Sequence, residues 1–440
     1  MNVVLVNTYD LGRQPFGLAS PAAWLRRAGI EVDAIDLSRE PLRADLVAAA
    51  DLVAFYLPMH TATRLALPVI DRVRANNPAA AICAYGLYAS LNEALLRQHG
   101  VSIVLGPEAE EDLVAIAGGA GGSGGSEDPP LRARLPRLDF IQPDRAGLPA
   151  LDRYASLQMP DGSRKTVGAT DATRGCKHRC RHCPIVPVYD GQFRVVPVEV
   201  VLADIRALVG QGATHISFGD PDFFNGPTHA RRIVESLHRE FPALTYDAII
   251  KVEHLLKHRE LLPVLASTGC LFVTSAVESV DDDVLAKLEK GHTRADFVAA
   301  AALCRNAGLT LVPTFVAFTP WTTIAGYMDL LRVVSELGLV GHVAPVQWGI
   351  RLLVTWQSRL LEVPEIQSAV GPFDARTLTY PWRHADPRVD ALQQQVMALA
   401  GVRAARSRDE MFATICDLAH VNLLLPSRSA IPYMNEPWYC

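Results

Sequence analysis

Three cysteines, Cys176, Cys180 and Cys183, lie within eight positions of the stretch RGCKHRCRHCP. Thiolates ligate soft metals and metal clusters. The chain begins MNVVLVNTYD, with no basic segment or small-residue cleavage site, so a cytoplasmic location is expected. Thiols stay reduced there, and the 8 cysteines are not read as disulfides. A structural zinc ion wants four ligands, commonly two C-x2-C pairs or a Cys/His set. His178 and His182 are close in sequence, but a second C-x2-C pair is missing. An iron–sulfur cluster of the [4Fe-4S] type takes thiolates. Three of them on one loop would leave the fourth iron open. That iron could bind the adjacent amine and carboxylate of S-adenosylmethionine, and an electron passed into the sulfonium would break a carbon–sulfur bond. The cofactor supplies such chemistry, and the protein supplies position and electrostatics. Arg174, Lys177, Arg179 and Arg181 flank the thiols and are expected to favour a reduced, anionic cluster.

Something must position this loop. The chain has 440 residues, 49% of them hydrophobic and 20% charged, with a net charge of -5. That balance argues against broad nucleic-acid or membrane binding, and no apolar run approaches a membrane span. Residues 1–117 alternate short apolar runs (NVVLVN, VDAIDL, LVAFYL, AAICAY, VSIVL) with helical patterns. This predicts a doubly wound parallel sheet. The run GGAGGSGGSEDPP, residues 118–130, reads as a flexible linker. After a bridging segment, 131–165, the same rhythm returns over 166–365. Its strand candidates are THISFG, LTYDAII, CLFVTSAV, LTLVPTFVAF and HVAPVQWG. The prediction is an α/β chain whose second unit is a full or partial TIM-like barrel, with the cysteines at its C-terminal face. Residues 366–440 read as a small helical extension with a tail.

The C-x3-C-x2-C loop after a first barrel strand resembles the signature of the radical SAM superfamily. His182 stands where an aromatic residue usually precedes the third cysteine. The resemblance implies that Cys176, Cys180 and Cys183 ligate a [4Fe-4S] cluster and that an electron donor such as flavodoxin or ferredoxin reduces it. In FGDPDFFN it gives Asp220 the methionyl amine. A carboxylate at a strand end can accept from an ammonium, although it can equally cap the next helix. Glu278 and Ser279 look like the pair that meets the ribose, and Thr314 lies where the fifth strand would contact the adenosine. The first domain resembles the cobalamin-binding fold that precedes many such barrels. Its usual D-x-H-x-x-G ligand motif is missing, because the loop NTYDLGRQPFG has Asp10, Gly12 and Gly17 but no histidine. His60 is a poor substitute.

The terminal EPWYC resembles a radical SAM group that ends Cys-Cys-Ala-Glu-Pro or Cys-selenocysteine-Ala-Glu-Pro. The expectation is a reading frame cut at a selenocysteine codon, with Cys440 as a second reactive centre. One enzyme resembling this group moves the 3-amino-3-carboxypropyl group of S-adenosylmethionine onto trivalent arsenic. A transferase acting on a small soft acceptor is therefore expected. Cobalamin-dependent methyl transfer, a 5′-deoxyadenosyl-radical reaction and a non-catalytic metal-binding module are the alternatives.

Overall fold

The computed structural model describes residues 1–119, 135–401, 407–423 and 431–435. Most of the expected linker, and Cys440, fall outside them. The first sheet holds β1 (Asn2–Asn7), β2 (Glu31–Asp36), β3 (Leu52–Tyr56), β4 (Ala81–Tyr85) and β5 (Ile103–Val104). All are parallel, in the order β2-β1-β3-β4-β5. Helices cover both faces, so successive side chains of one strand enter different cores. Val4, Val6, Val53 and Phe55 pack on one face. Val3, Leu5, Leu52 and Ala54 pack on the other.

The second sheet begins with β6 (Ser156–Gln158) and β7 (Arg164–Thr170). A separate antiparallel pair, β8 (Thr173–Gly175) and β9 (Phe193–Val195), flanks the cysteine loop. The sheet continues through β10 (His215–Phe218), β11 (Thr245–Ile249), β12 (Cys270–Glu278) and β13 (Thr310–Phe315). β7, β10, β11, β12 and β13 are parallel neighbours and make a partial barrel. Their outward residues join the cluster of Ile216, Tyr246, Val273, Leu311 and Phe315. Val167, Phe272 and Val312 meet Leu157 on the inner side.

The segment HVAPVQWG does not become the sixth strand. It forms two 3-10 turns, Val340–His342 and Pro345–Trp348. Pro345 has no N–H to give a ladder. The Phe315 N–H that a sixth strand would have paired is taken by Gln347 Oε1 at 2.9 Å. Trp348 is buried against Phe315 and Phe412 instead. The C-terminal extension is helical at Pro387–Gly401 and Arg408–Leu418, and it then adds a strand, β14 (Tyr433–Met434). β14 pairs antiparallel with β6, which is itself antiparallel to β7. It therefore runs in the direction of β7, toward the end that bears the cysteines. Among the described residues, no helix is long and apolar enough to cross a membrane.

A buried ion pair ties the two sheets together. Arg145 of the bridging segment donates to both oxygens of Asp204, at 2.9 and 2.8 Å. It also donates to Gln14 Oε1 and to the Ala169 carbonyl. Gln14 in turn donates to the Pro149 carbonyl. The loop after β1 is thus fastened to the bridge and to the first barrel strand.

Candidate active site

The chain leaves β7 at Thr170 and turns through β8 into the cysteines. Gly175 sits at φ +77, and a side chain there would strike the Tyr189 ring and the Gln192 carbonyl. Glycine is needed on both counts. Asn225 clamps the loop entrance, donating to the Gly175 carbonyl at 3.1 Å and accepting from the Lys177 N–H at 3.2 Å. Beyond it, the Arg181 N–H donates to the Leu288 carbonyl, and Arg359 donates to the Arg179 carbonyl.

Cys176, Cys180 and Cys183 are unpaired thiols, with Cys180 buried. Burial raises Cys176 to about 11 and Cys183 to about 12. These thiols lose their protons when metal takes the place of the proton. Ligands of one zinc ion, each about 2.3 Å from it, stand no more than roughly 4.6 Å apart. Among the described residues, the three sulfurs are not a set lying within 4.8 Å of one another. The spacing suits a polynuclear cluster better than a single ion, and the donor set fits the [4Fe-4S] group.

One cation that acts on the sulfurs was missed in the sequence. Lys290 is 3% exposed and pairs with Glu278 Oε1 at 3.4 Å. Burial opposes its charge, but Glu278 and the thiols of Cys180 and Cys183 raise its pKa. In sequence it ends the run LAKLEK, which carries no signal of this role. The four flanking cations have other partners. Arg174 pairs with Glu108 and Glu110, Arg181 with Glu289 and Arg179 with Asp190, while Lys177 reaches the Asn225 carbonyl.

Glu278 ends β12 at φ +67, a conformation that costs a non-glycine residue about 1–3 kcal/mol. Strained residues of this kind cluster at functional sites. Burial alone would raise Glu278, yet Lys290 and His182 hold it down at about 2. His182 Nε2 is 3.1 Å from Glu278 Oε1, so the ring before the third cysteine is joined to the fourth barrel strand. The Ser279 hydroxyl accepts from the Asp281 N–H in the turn that follows. Thr314 is half-buried on β13, opposite Ala276. Glu278, His182 and Lys290 converge beside the cysteines. Ser279 adjoins them, and Thr314 stands one strand away.

Asp220 follows β10. It is fully buried, and its oxygens accept from the Ala172 N–H at 2.9 Å and the Thr173 hydroxyl at 2.5 Å. It braces the start of β8. Burial, then Asp171, raises it to about 7. Because the folded-state pKa is raised, its stabilising contribution is complete below pH about 4 and fades as pH rises through 7. Asp220→Asn should therefore flatten the fall in Tm between pH 5 and 8. The wild-type penalty removed is at most about 4 kcal/mol, three pKa units at 1.36 each. Thermal melts of both proteins at the two pH values check this, and parallel pH profiles would refute it. The adjacent Gly219 admits no side chain, because Asp171 Oδ1 occupies that space.

Between the C-terminal edges of the two sheets lies a cavity of about 210 Å³. Tyr56, Tyr85, Glu110, Asp171, Arg174 and Tyr189 are among its walls. Pockets for drug-sized ligands run to about 300–1,000 Å³, and cobalamin is larger than a drug. The lining holds no histidine, cysteine or methionine to ligate cobalt. His60 lies elsewhere, with Nε2 2.5 Å from the Thr377 carbonyl. The loop after β1 is committed to Arg145 and Pro149. A cobalamin held here would therefore have no side-chain ligand to cobalt from these residues.

Residues 171–323 match the Radical SAM superfamily. The hopanoid C-3 methylase of Methylococcus capsulatus is 24% identical over 322 residues, 70% of this chain and 62% of that protein. The tRNA-2-methylthio-N(6)-dimethylallyladenosine synthase of Hahella chejuensis is 22% identical over 279 residues, 60% of this chain and 58% of that protein. The chain thus spans less than two thirds of the length of either. Among solved structures, the cobalamin-dependent S-adenosylmethionine radical enzyme OxsB aligns with 95% of this chain and 71% of its own, at TM-score 0.71 and 14% identity. The radical S-adenosylmethionine methyltransferase TsrM from Kitasatospora setae aligns with 76% of this chain and 71% of its own, at TM-score 0.62 and 17% identity. These two likenesses concern the fold, a parallel sheet followed by a partial barrel. Residues 171–323, with the three cysteines on the loop after the first barrel strand, are thus the part of the chain that resembles the Radical SAM superfamily.

Proposed function

We propose that this chain cleaves S-adenosylmethionine reductively and transfers a fragment of it to a small acceptor. The observation that carries the reading is the convergence of three cysteines on one loop with the Glu278–Lys290–His182 group at the barrel end. Cys176, Cys180 and Cys183 would hold a [4Fe-4S] cluster. When bound, such a cluster delivers one electron from a donor such as flavodoxin or ferredoxin to the sulfonium. Glu278, held ionised, is placed to accept from ribose hydroxyls, with Ser279 and Thr314 as further contacts. Lys290 offsets negative charge beside the thiolates. Asp220 acts through β8, by fixing the approach to Cys176.

The fragment we favour is the 3-amino-3-carboxypropyl group, passed to a soft acceptor such as trivalent arsenic. Its support is the tail resemblance at EPWYC and the direction of β14, which heads toward the cysteine-bearing end. Cys440 is the proposed soft ligand for the acceptor.

Anaerobic reconstitution, addition of S-adenosylmethionine and dithionite, and mass spectrometry of the nucleoside products test both levels. 5′-Methylthioadenosine is the expected product. 5′-Deoxyadenosine would keep the radical reading and reject the transferred group. S-Adenosylhomocysteine would favour methyl transfer, the activity named in the M. capsulatus relative. An intact cluster that cleaves nothing, with arsenite present, would reject the proposal.

A further inference from the structure

Beside the cysteine loop lies a second cluster of ligand atoms that the chemistry above does not use. His178 stands between Cys176 and Cys180 in the loop. Asp222 follows β10, and His254 lies in the short helix Val252–Lys257 after β11. Asp222 Oδ2 is 2.6 Å from His254 Nδ1 and 3.2 Å from His178 Nε2. All three ligand atoms lie within 4.8 Å of one another. Each of these atoms is buried, and among the described residues none has a partner outside the group. Asp222 and His254 are each 1% exposed. Orphaned buried polar atoms are costly unless something binds them. Three of them converging on one point mark a ligand site.

We infer that His178, Asp222 and His254 bind a single divalent transition-metal ion. Two imidazoles and one carboxylate, with further positions open to water, suit a borderline ion such as Zn²⁺ or Fe²⁺. Around an ion at about 2.1 Å from each donor, neighbouring donors stand roughly 3.0–3.4 Å apart, so the His178 pair already fits and the His254 Nδ1–Asp222 Oδ2 pair opens by less than roughly 1 Å. The surroundings match. Asp222 Oδ1 accepts from the Phe224 N–H at 3.1 Å, which fixes the carboxylate. Metal-bound histidines usually give their other N–H to a carboxylate. Glu253 Oε2 is 3.7 Å from His178 Nδ1 and supplies one. Lys251 Nζ now stands 3.1 Å from each of those two atoms. With the ion bound, Nδ1 carries its proton to Glu253, and Lys251 stays on that carboxylate. The ion would pin the cysteine loop to the ends of β10 and β11, and its open positions would face the same edge of the barrel.

The site is distinct from the cysteine sulfurs, so its test is independent of the radical reading. Chain purified anaerobically is incubated with excess Zn²⁺ or Fe²⁺, then desalted. Metals are counted by mass spectrometry against labile sulfide, and the added ion is examined by X-ray absorption at its own edge. The expected result is one ion per chain beyond those matched by sulfide. For Zn²⁺ its first shell should be entirely nitrogen and oxygen. His254→Ala and Asp222→Asn should each lose that ion with the sulfide count unchanged. A metal count fully explained by sulfide would overturn the inference. So would zinc with a sulfur shell, since it would then sit on the cysteines. The wild-type absorption spectrum decides even if a variant fails to fold.

Discussion

Cys180→Ala should leave a folded chain that no longer retains four irons, and its cleavage of S-adenosylmethionine should fall to the background of the reductant. Cys180 is 7% exposed, and its side chain points into the loop that Asn225, Leu288 and Arg359 hold in place. Those holds are made by main chain and by neighbours, so the loop should survive loss of one thiol at a cost of about 1 kcal/mol, the centre of the range for point substitutions. The cluster should not survive. Partners one bond removed from a metal already cost 10–100-fold when lost; a ligand itself should cost more than about 100-fold. Cys304→Ala is the control: it removes an equally buried thiol from the helix Arg294–Asn306 and should keep full iron. Iron and sulfide counts with product formation decide the matter, and a Cys180→Ala protein with four irons and wild-type turnover would remove the cysteine assignment.

The second large effect is on stability. Asp204→Ala should destabilise the chain by about 3–5 kcal/mol, the usual cost of leaving one member of a buried ion pair uncompensated. The side chains of Arg145 and Asp204 are 2% and 1% exposed, and both carboxylate oxygens are used. The remaining acceptors of Arg145, Gln14 and the Ala169 carbonyl, are neutral. For a unit of this size the loss corresponds to a fall in Tm of roughly 10 °C. The double variant Arg145→Met with Asp204→Leu should recover most of it, because an apolar pair of similar volume avoids the desolvation cost. Calorimetry on the three variants tests this. A Tm for Asp204→Ala within 1–2 °C of wild type would show that the clamp carries little. Since Arg145 also holds the loop after β1, the same variant should loosen the cavity between the sheets before the barrel itself unfolds.

How much of this was readable beforehand follows from the range of the interactions. The cysteine spacing is local, and so are the apolar runs that become β1, β3, β10 and β12. A ligand loop and a parallel α/β architecture are encoded over a few to a dozen residues, and both were legible. The strand expected at HVAPVQWG was not formed, because a side chain from the same segment, Gln347, satisfied the edge of β13 first. Composition carries no trace of that choice. Asp220 and Asp222 are two residues apart in one motif, yet one faces Thr173 and the other faces His178 and His254. Which way each points depends on strands that are 30 or more positions distant. Lys290 carries no local signal in the sequence, yet it is buried, paired with Glu278 and acting on the thiols of Cys180 and Cys183. The cavity between the sheets holds about 210 Å³, and Arg174 in its wall pairs with Glu108 and Glu110 from the first unit, a contact no local pattern announces. The sequence by itself determined the donor set and the class of fold, which rest on local spacing and periodicity. Only the tertiary structure decided which charges are buried, which are paired and how much room is left, because those depend on contacts between segments far apart in the chain.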